Sequence, residues 1–251
     1  MFDLTGRVAL VTGAGRGVGA AIAGVLALAG ATVAVNDLHP GRAEAVADDL
    51  LERGCTALAV AADVREQDQV ESMVGAVADA VGPVDVLVNN AGVPEAGLRP
   101  TPFVSTSRED WVAPFTVSVL GTMYCCRAVL PAMLERGRGR IVSVVSDAGR
   151  CGEPGLAAYS GAKAAVAGFG RALAKEVGTA GITCNCVSLG RIDGTGVSDD
   201  APLGPGALRR YPAGRIGRVE DIGPAVLWLA SEEGAWVTGQ TIGVDGGYLT
   251  T

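Results

Sequence analysis

The sequence predicts an α/β domain: a doubly wound, parallel, seven-stranded sheet with helices on both faces. Three observations lead there. Short, nearly continuous β-branched apolar runs alternate with longer stretches of helical periodicity through most of the chain. Turns short enough for antiparallel hairpins are missing between those runs, so crossovers must join successive strands. The 251 residues, 49% hydrophobic and 19% charged, suffice for one large core, and no repeat or low-complexity linker divides them. A single domain over 1–251 is expected.

The first strand is expected at 7–11, followed by Thr12-Gly13-Ala14-Gly15-Arg16-Gly17-Val18-Gly19 and a helix over 17–30. Glycines permit a tight turn and close approach of the backbone to a pyrophosphate. The helix N-terminus adds free N–H donors and a positive partial charge. Residues 17–36 carry no charge and nominally reach membrane-span length. Gly30 divides them, however, into a helical pattern (Val18, Ile22, Val25, Leu26, Ala29) and a buried strand at 32–36. That strand runs into Asp37, where an acid is placed to bind an adenosine ribose.

Further strands are expected at 56–61, 84–88, 140–145, 181–187 and 241–244, with helices at 40–53, 66–81, 107–136, 157–179 and 219–230. The least regular stretch is 190–217, with Gly, Pro and Asp-Asp clusters and a short helical pattern near 205–211. It follows the sixth strand, and doubly wound sheets bind ligands beyond the carboxyl ends of their strands. This loop is therefore expected to cover a site.

A second constellation, Tyr159-Ser160-Gly161-Ala162-Lys163, lies in a helical pattern. Residues at i and i+4 share a helix face, so phenol and ammonium can enter one site. A cation beside a tyrosine favours the phenolate, which suits a general acid–base catalyst.

Other chemistries are excluded. With 20 Lys+Arg against 27 Asp+Glu, net −7, and no basic run, the chain is a poor phosphate-backbone binder, and no nucleic-acid partner is expected. One histidine, His39, and six cysteines without a C-x-x-C pair leave no readable zinc site, and no metal is expected. A triad hydrolase would have to use His39, which stands in a His-Pro-Gly turn. The absence of G-x-x-x-x-G-K-[ST] excludes a phosphate-transferring loop. No secretory leader or membrane anchor is expected, and the thiols (Cys55, Cys125, Cys126, Cys151, Cys184, Cys186) read as small packing residues of a reducing cytoplasm.

Together these residues closely resemble the short-chain dehydrogenase/reductase family in its compact single-domain form, including 3-oxoacyl-carrier-protein reductase-like members, over essentially the whole chain. Thr12–Gly19 looks like the TGxxxGxG cofactor loop of this Rossmann-type fold, and Asn89-Asn90-Ala91-Gly92 like its NNAG motif. Asp63-Val64 matches the adenine-contacting pair, and Ser146 lies 13 residues before Tyr159, where the family's catalytic serine lies. Gly217-Arg218-Val219-Glu220-Asp221-Ile222, Val237-Thr238-Gly239-Gln240 and Val244-Asp245-Gly246-Gly247 also match.

The resemblance implies a Ser–Tyr–Lys site working on a nicotinamide cofactor and a secondary alcohol or its ketone. Ser146 would hold the substrate oxygen, Tyr159 exchange its proton, and Lys163 hold the nicotinamide ribose while biasing the phenol toward phenolate. Cofactor contacts are expected from Gly13, Arg16, Gly17, Val18, Gly19, Asp37, Leu38, Asp63, Val64, Asn90, Ala91, Gly92, Tyr159, Lys163, Gly190 and Ile192. Asp37 favours NAD(H), while Arg16 is a residue that NADP(H)-using relatives often carry. Pairing of the long helix and the Tyr-bearing helix, with small residues Ala164, Ala165, Ala167 and Gly168, implies a homo-oligomer, dimer or tetramer. Trp111, Phe115, Tyr124 and Met133 read as core or subunit-interface residues.

Two departures stand out. Ser118, in Val117-Ser118-Val119-Leu120-Gly121, replaces the relay asparagine, which implies a rearranged relay. Asn185-Cys186-Val187-Ser188-Leu189-Gly190 lacks the usual proline, which relaxes the backbone at Leu189 near the Ile192 carboxamide contact. Substrate choice is expected from 93–102, 147–156 and 190–217, with the charges Glu95, Arg99, Arg150 and Glu153. The substrate classes left open are acyl or polyketide thioesters (an NADPH-dependent ketoreductase), steroid or terpenoid alcohols, and polyols. A catalytically decayed nucleotide-binding module and a non-redox epimerase or dehydratase are rival functions.

Overall fold

The computed structural model describes residues 1–92, 98–193 and 210–250, and within them seven strands make one sheet. They are β1 (Val8–Val11), β2 (Thr32–Asp37), β3 (Thr56–Ala61), β4 (Val86–Asn89), β5 (Gly139–Ser146), β6 (Ile182–Leu189) and β7 (Thr241–Val244). Every pairing is parallel, in the order β3-β2-β1-β4-β5-β6-β7. The order reverses between β1 and β4, which opens a crevice at their carboxyl ends.

Side-chain alternation along the strands builds two cores. Ala9 and Val11 of β1 face a core with Ile22 and Leu26 of α1 (Gly17–Leu28), Leu50 of α2 (Pro40–Glu52), and Val226 and Leu229. Val8 and Leu10 face the other, with Val70, Met73 and Val77 of α3 (Gln67–Val81), and Cys125, Val129 and Met133. A strand covered on both faces must be apolar at every position, and all four residues of β1 are buried. The charge-free run 17–36 is thus α1 and β2. Between them Gly30 takes φ +95°, and a Cβ there would come within 2.7 Å of the Thr5 hydroxyl.

The long helix expected at 107–136 is corrected. It is α4 (Arg108–Pro114), a π-helical turn over Phe115–Leu120, and α5 (Gly121–Arg136). Pro114, lacking an N–H, stands where the α-helical ladder gives way. By length and composition alone Arg108–Arg136 could cross a membrane, but its Cys125, Cys126, Val129 and Met133 are spent in the second core. Trp111 and Phe115 are partly exposed, and Met133 is fully buried.

The remaining helices are α6 (Ala148–Cys151), which was not expected, α7 (Ala157–Val177) and α8 (Gly223–Ala230). Residues 219–221, expected as the start of that last helix, form a separate 3-10 turn closed by Asp221 on the Arg218 N–H. The helical pattern near 205–211 and the loop 190–217 lie outside the described residues except for 190–193 and 210–217, and Glu95 lies outside them altogether.

Candidate active site

A cavity of about 870 Å³ opens at the carboxyl end of the sheet, within the range of small-ligand and cofactor sites. Its floor at β1 is the glycine loop. Gly13 takes φ +61°, and a Cβ there would stand 3.0 Å from Cα of Ala91, so the loop lies flat on the end of β4. Asn90 fixes that contact: its side-chain amide donates to the carbonyls of Thr12 and Gly13, each at 2.9 Å. The Thr12 hydroxyl accepts from the N–H groups of Asn90 and Ala91.

Arg16 caps α1 with an extended backbone, makes no side-chain cap, and no acid stands in the first turn. The N–H groups of that turn are therefore left to the cavity, which Arg16, Gly17, Val18 and Gly19 line. This uncapped, glycine-lined N-terminus fits the pyrophosphate of a dinucleotide.

Asp37, 6% exposed, ends β2 with its carboxylate on the same cavity. One oxygen accepts from Gly15 N–H at 3.1 Å and the other from His39 N–H at 3.0 Å. Leu38, Asp63 and Val64 line the neighbouring wall. Asp63 is held by the Arg65 guanidinium at 2.6 Å, whose hydrogen bonds keep its carboxyl below the usual range. Arg42, one turn into α2, also lines this wall, as do Arg65 and His39. Sequence reading looked for a base directly after Asp37 and missed Arg42, which the first turn of α2 brings back.

At the inner end, Ser146 closes β5, and Tyr159 and Lys163 lie one turn apart on α7. All three line the cavity with Asn90, Ala91 and Gly92. The Ser146 hydroxyl accepts from Ala148 N–H at 3.2 Å and lies near enough to the Tyr159 phenol to oppose the upward shift of its pKa. Lys163 is 4% exposed, donates from Nζ to Val144 O at 3.0 Å, and stands 5.8 Å from the Tyr159 ring centroid. A Cβ on Gly92 would press on that ammonium, so glycine leaves room for it.

The electrostatics differ from the expectation. Burial raises the Tyr159 pKa, and the nearby Ser146 hydroxyl opposes it only in part. Burial likewise pulls Lys163 down to about 8. Desolvation thus shifts both groups toward their neutral forms, though at neutral pH Lys163 stays mostly charged and Tyr159 stays a phenol.

Ser118, 1% exposed, sits in the π-helical turn and donates from Oγ to Gly92 O at 2.9 Å. It thus braces the backbone beside Lys163. Gly190 and Ile192 line the cavity beyond β6. Without the expected proline, that segment is held by a parallel bridge, with Asp193 N–H to Gly217 O and Gly217 N–H to Arg191 O. Ile192 is 5% exposed. Tyr211, Arg210 and Tyr248 complete the outer wall and had no local motif to announce them. Cys184 and Cys186 are both buried, with the thiol of Cys186 pushed up to about 11 by burial.

The chain is similar to known proteins over nearly its whole length. A family described as enoyl-(acyl carrier protein) reductase matches residues 13–249. The chain is 39% identical over 251 residues to a 3-oxoacyl-[acyl-carrier-protein] reductase of Synechocystis, covering 99% of each chain. It is 41% identical over 244 residues to the (2S)-[(R)-hydroxy(phenyl)methyl]succinyl-CoA dehydrogenase subunit BbsD of Thauera aromatica, covering 96% of each. Among solved structures, a gluconate 5-dehydrogenase from Burkholderia cenocepacia J2315, in complex with NADP and tartrate, superposes with a TM-score of 0.92 at 34% identity. That alignment covers 98% of this chain and 96% of the other.

Proposed function

The chain belongs to the short-chain dehydrogenase/reductase family of NAD(P)-dependent oxidoreductases acting on hydroxyl and ketone groups, and on that premise we propose that Ser146, Tyr159 and Lys163 are its catalytic set. The observation that carries this reading is the convergence of Ser146, Tyr159 and Lys163 on one cavity, with Tyr159 and Lys163 one turn apart on α7. Ser146 holds the substrate oxygen. Tyr159 gives its proton to that oxygen in reduction and takes it back in oxidation. Its raised pKa keeps the proton on the phenol at neutral pH, the state in which reduction begins.

The nicotinamide cofactor, when bound, supplies or accepts the hydride. Gly13, Arg16, Gly17, Val18 and Gly19 would hold its pyrophosphate, Asp37 and Leu38 its adenosine ribose, and Asp63 and Val64 its adenine. Asn90, Ala91, Gly92, Tyr159 and Lys163 would hold the nicotinamide ribose side, and Gly190 and Ile192 the carboxamide. Asp37 supports NAD(H), since a 2′-phosphate would meet a buried carboxylate. Arg16 and Arg42 are the groups that oppose it.

The relatives' names support 3-oxoacyl thioesters as the first substrates to assay, with sugar acids next. A homo-oligomer, dimer or tetramer, is supported by the exposed Phe103, Val104 and Trp111 beside α4, and a cytoplasmic setting by six free thiols.

The test compares wild type with Tyr159→Phe, reading NADH and NADPH oxidation with acetoacetyl-CoA and cofactor oxidation or reduction with gluconate and its 5-keto acid. Loss of turnover by about 10²–10⁴-fold, with NADH binding unchanged, is expected. Equal turnover in the two proteins would overturn the assignment and favour a nucleotide-binding module.

A further inference from the structure

Beyond β6 the cavity wall is positive. Among the described residues lining its Ser146 end, Lys163, Arg191 and Arg210 are cationic, and Asp147 and Glu153 are anionic. Asp147 is 2% exposed and already committed: its carboxylate accepts from the Ser188 hydroxyl at 2.6 Å and lies 3.5 Å from the Arg150 guanidinium. Lys163 donates to Val144 O. The remaining charges are two guanidiniums and one carboxylate, in a chain whose net charge is −7.

Arg210 is braced in place. Its guanidinium lies over the Tyr248 ring at 4.6 Å and donates to the Tyr248 hydroxyl. Tyr248 stacks on Tyr211 at 5.2 Å between centroids. The Tyr211 hydroxyl in turn accepts from Arg191 N–H at 3.2 Å. Asp245 closes the turn that carries Tyr248, accepting from Gly247 N–H at 2.9 Å and Leu249 N–H at 3.3 Å. A guanidinium fixed on an aromatic face loses less side-chain freedom on binding than one that is free in water.

Among the described residues no carboxylate is ion-paired with Arg210. Its hydrogen bond to Tyr248 uses one of five N–H donors. The rest of the planar fork matches two oxygens of a carboxylate or phosphate. The position agrees as well. A Cβ on Gly190 would stand 3.3 Å from the Tyr211 ring, and Gly190 follows Leu189, the β6 partner of Ser146. Asp37 ends β2, on the other side of the sheet reversal. The braced guanidinium thus belongs to the Ser146 end of the cavity and not to the adenosine end.

We propose that Arg210, held by Tyr248, seats an anionic group of the substrate, a carboxylate or a phosphate remote from the reacting carbon. Arg210 orients the substrate and selects for its charge, while Ser146 and Tyr159 act at the other end. Glu153, whose N–H donates to the Ser160 hydroxyl at 3.3 Å, is the acid on this wall that repels the same group and directs it to Arg210. That the bound anion is the substrate's rests on the roles proposed for Ser146 and Tyr159; anion binding at Arg210 does not.

Ligand-observed NMR titration of the cofactor-free protein with glutarate, monopropyl phosphate and dimethyl glutarate tests the seat without turnover. Wild type should bind at least one of the two anions about tenfold tighter than Arg210→Gln does. Arg210→Lys, which keeps the charge and loses the fork, should fall between them. Arg16→Gln, at the glycine loop, should retain the binding that depends on Arg210, and the uncharged diester should not distinguish Arg210→Gln from wild type. A larger effect on glutarate assigns the seat to a substrate carboxylate, and a larger effect on the phosphate ester to a phosphate-bearing thioester. Equal anion binding by wild type and Arg210→Gln, anion binding by neither, or a loss confined to Arg16→Gln would each overturn the proposal. No hydride or proton is transferred in this measurement, so an inactive Ser146–Tyr159 site would leave its result readable on its own.

Discussion

Lys163 shows what a buried ammonium costs the fold. Its ammonium is buried against Val144 O, and burial lowers its pKa from 10.5 to about 8. Because the folded pKa lies below the unfolded one, the unfolded chain binds more protons between those values, and stability rises with pH across that window. Below about pH 8 the penalty is present in full. Lys163→Met should therefore stabilise the cofactor-free protein by about 1–3 kcal/mol at neutral pH, allowing for the lost hydrogen bond. The gain should shrink toward zero by pH 10 while activity is abolished. Urea unfolding at the two pH values checks this, and an unchanged or larger gain at the higher pH would contradict it. The Tyr159–Lys163 spacing is legible in the chain because helix geometry alone puts i and i+4 on one face. The direction of the Tyr159 shift is not, because desolvation depends on how the folded chain buries the ring.

Among the elements, the broken helix Arg108–Arg136 carries the most information. Its apolar period runs through both Pro114 and Pro131, so periodicity alone predicted one helix. Pro131 is in fact tolerated within α5, whereas Pro114 ends α4 and a π-helical turn follows. That turn directs Ser118 at the carbonyl of Gly92, a placement no spacing rule encodes. π-helical turns recur at functional sites because the extra residue re-aims a side chain. Ser118→Ala would leave the Gly92 carbonyl without this donor. A loss of about 1–3 kcal/mol is expected, measured as a lower urea midpoint with an unchanged slope; an unmoved midpoint would contradict it. Strand centres were legible because burial on both faces forces apolar runs. Strand ends were less so: β2 and β6 run on to Asp37 and Leu189, where polar or site-facing residues interrupt the apolar signal while pairing continues, as in Asp37↔Ala61 and Ser146↔Leu189.

For the molecule as a whole, sheet order decides where chemistry happens. Reversal between β1 and β4 leaves the glycine loop beside Asn90, and the longer β5 and β6 carry Ser146 and Gly190 to the other side of the same cavity. The parallel sheet and both motifs were readable from alternation and local spacing. The outer wall was not: Arg210, Tyr211 and Tyr248 meet through the turn at Asp245, contacts between distant segments without a local pattern. On the function proposed above, this cavity holds a dinucleotide and Asp37 reads its adenosine ribose. Equilibrium titration of the purified chain with NADH and NADPH, followed by nicotinamide fluorescence, tests it most directly. Tighter binding of NADH, with the preference narrowed in Asp37→Ala, is the result expected. Tighter binding of NADPH would transfer selection to Arg16 and Arg42, and binding of neither would contradict the dinucleotide site itself.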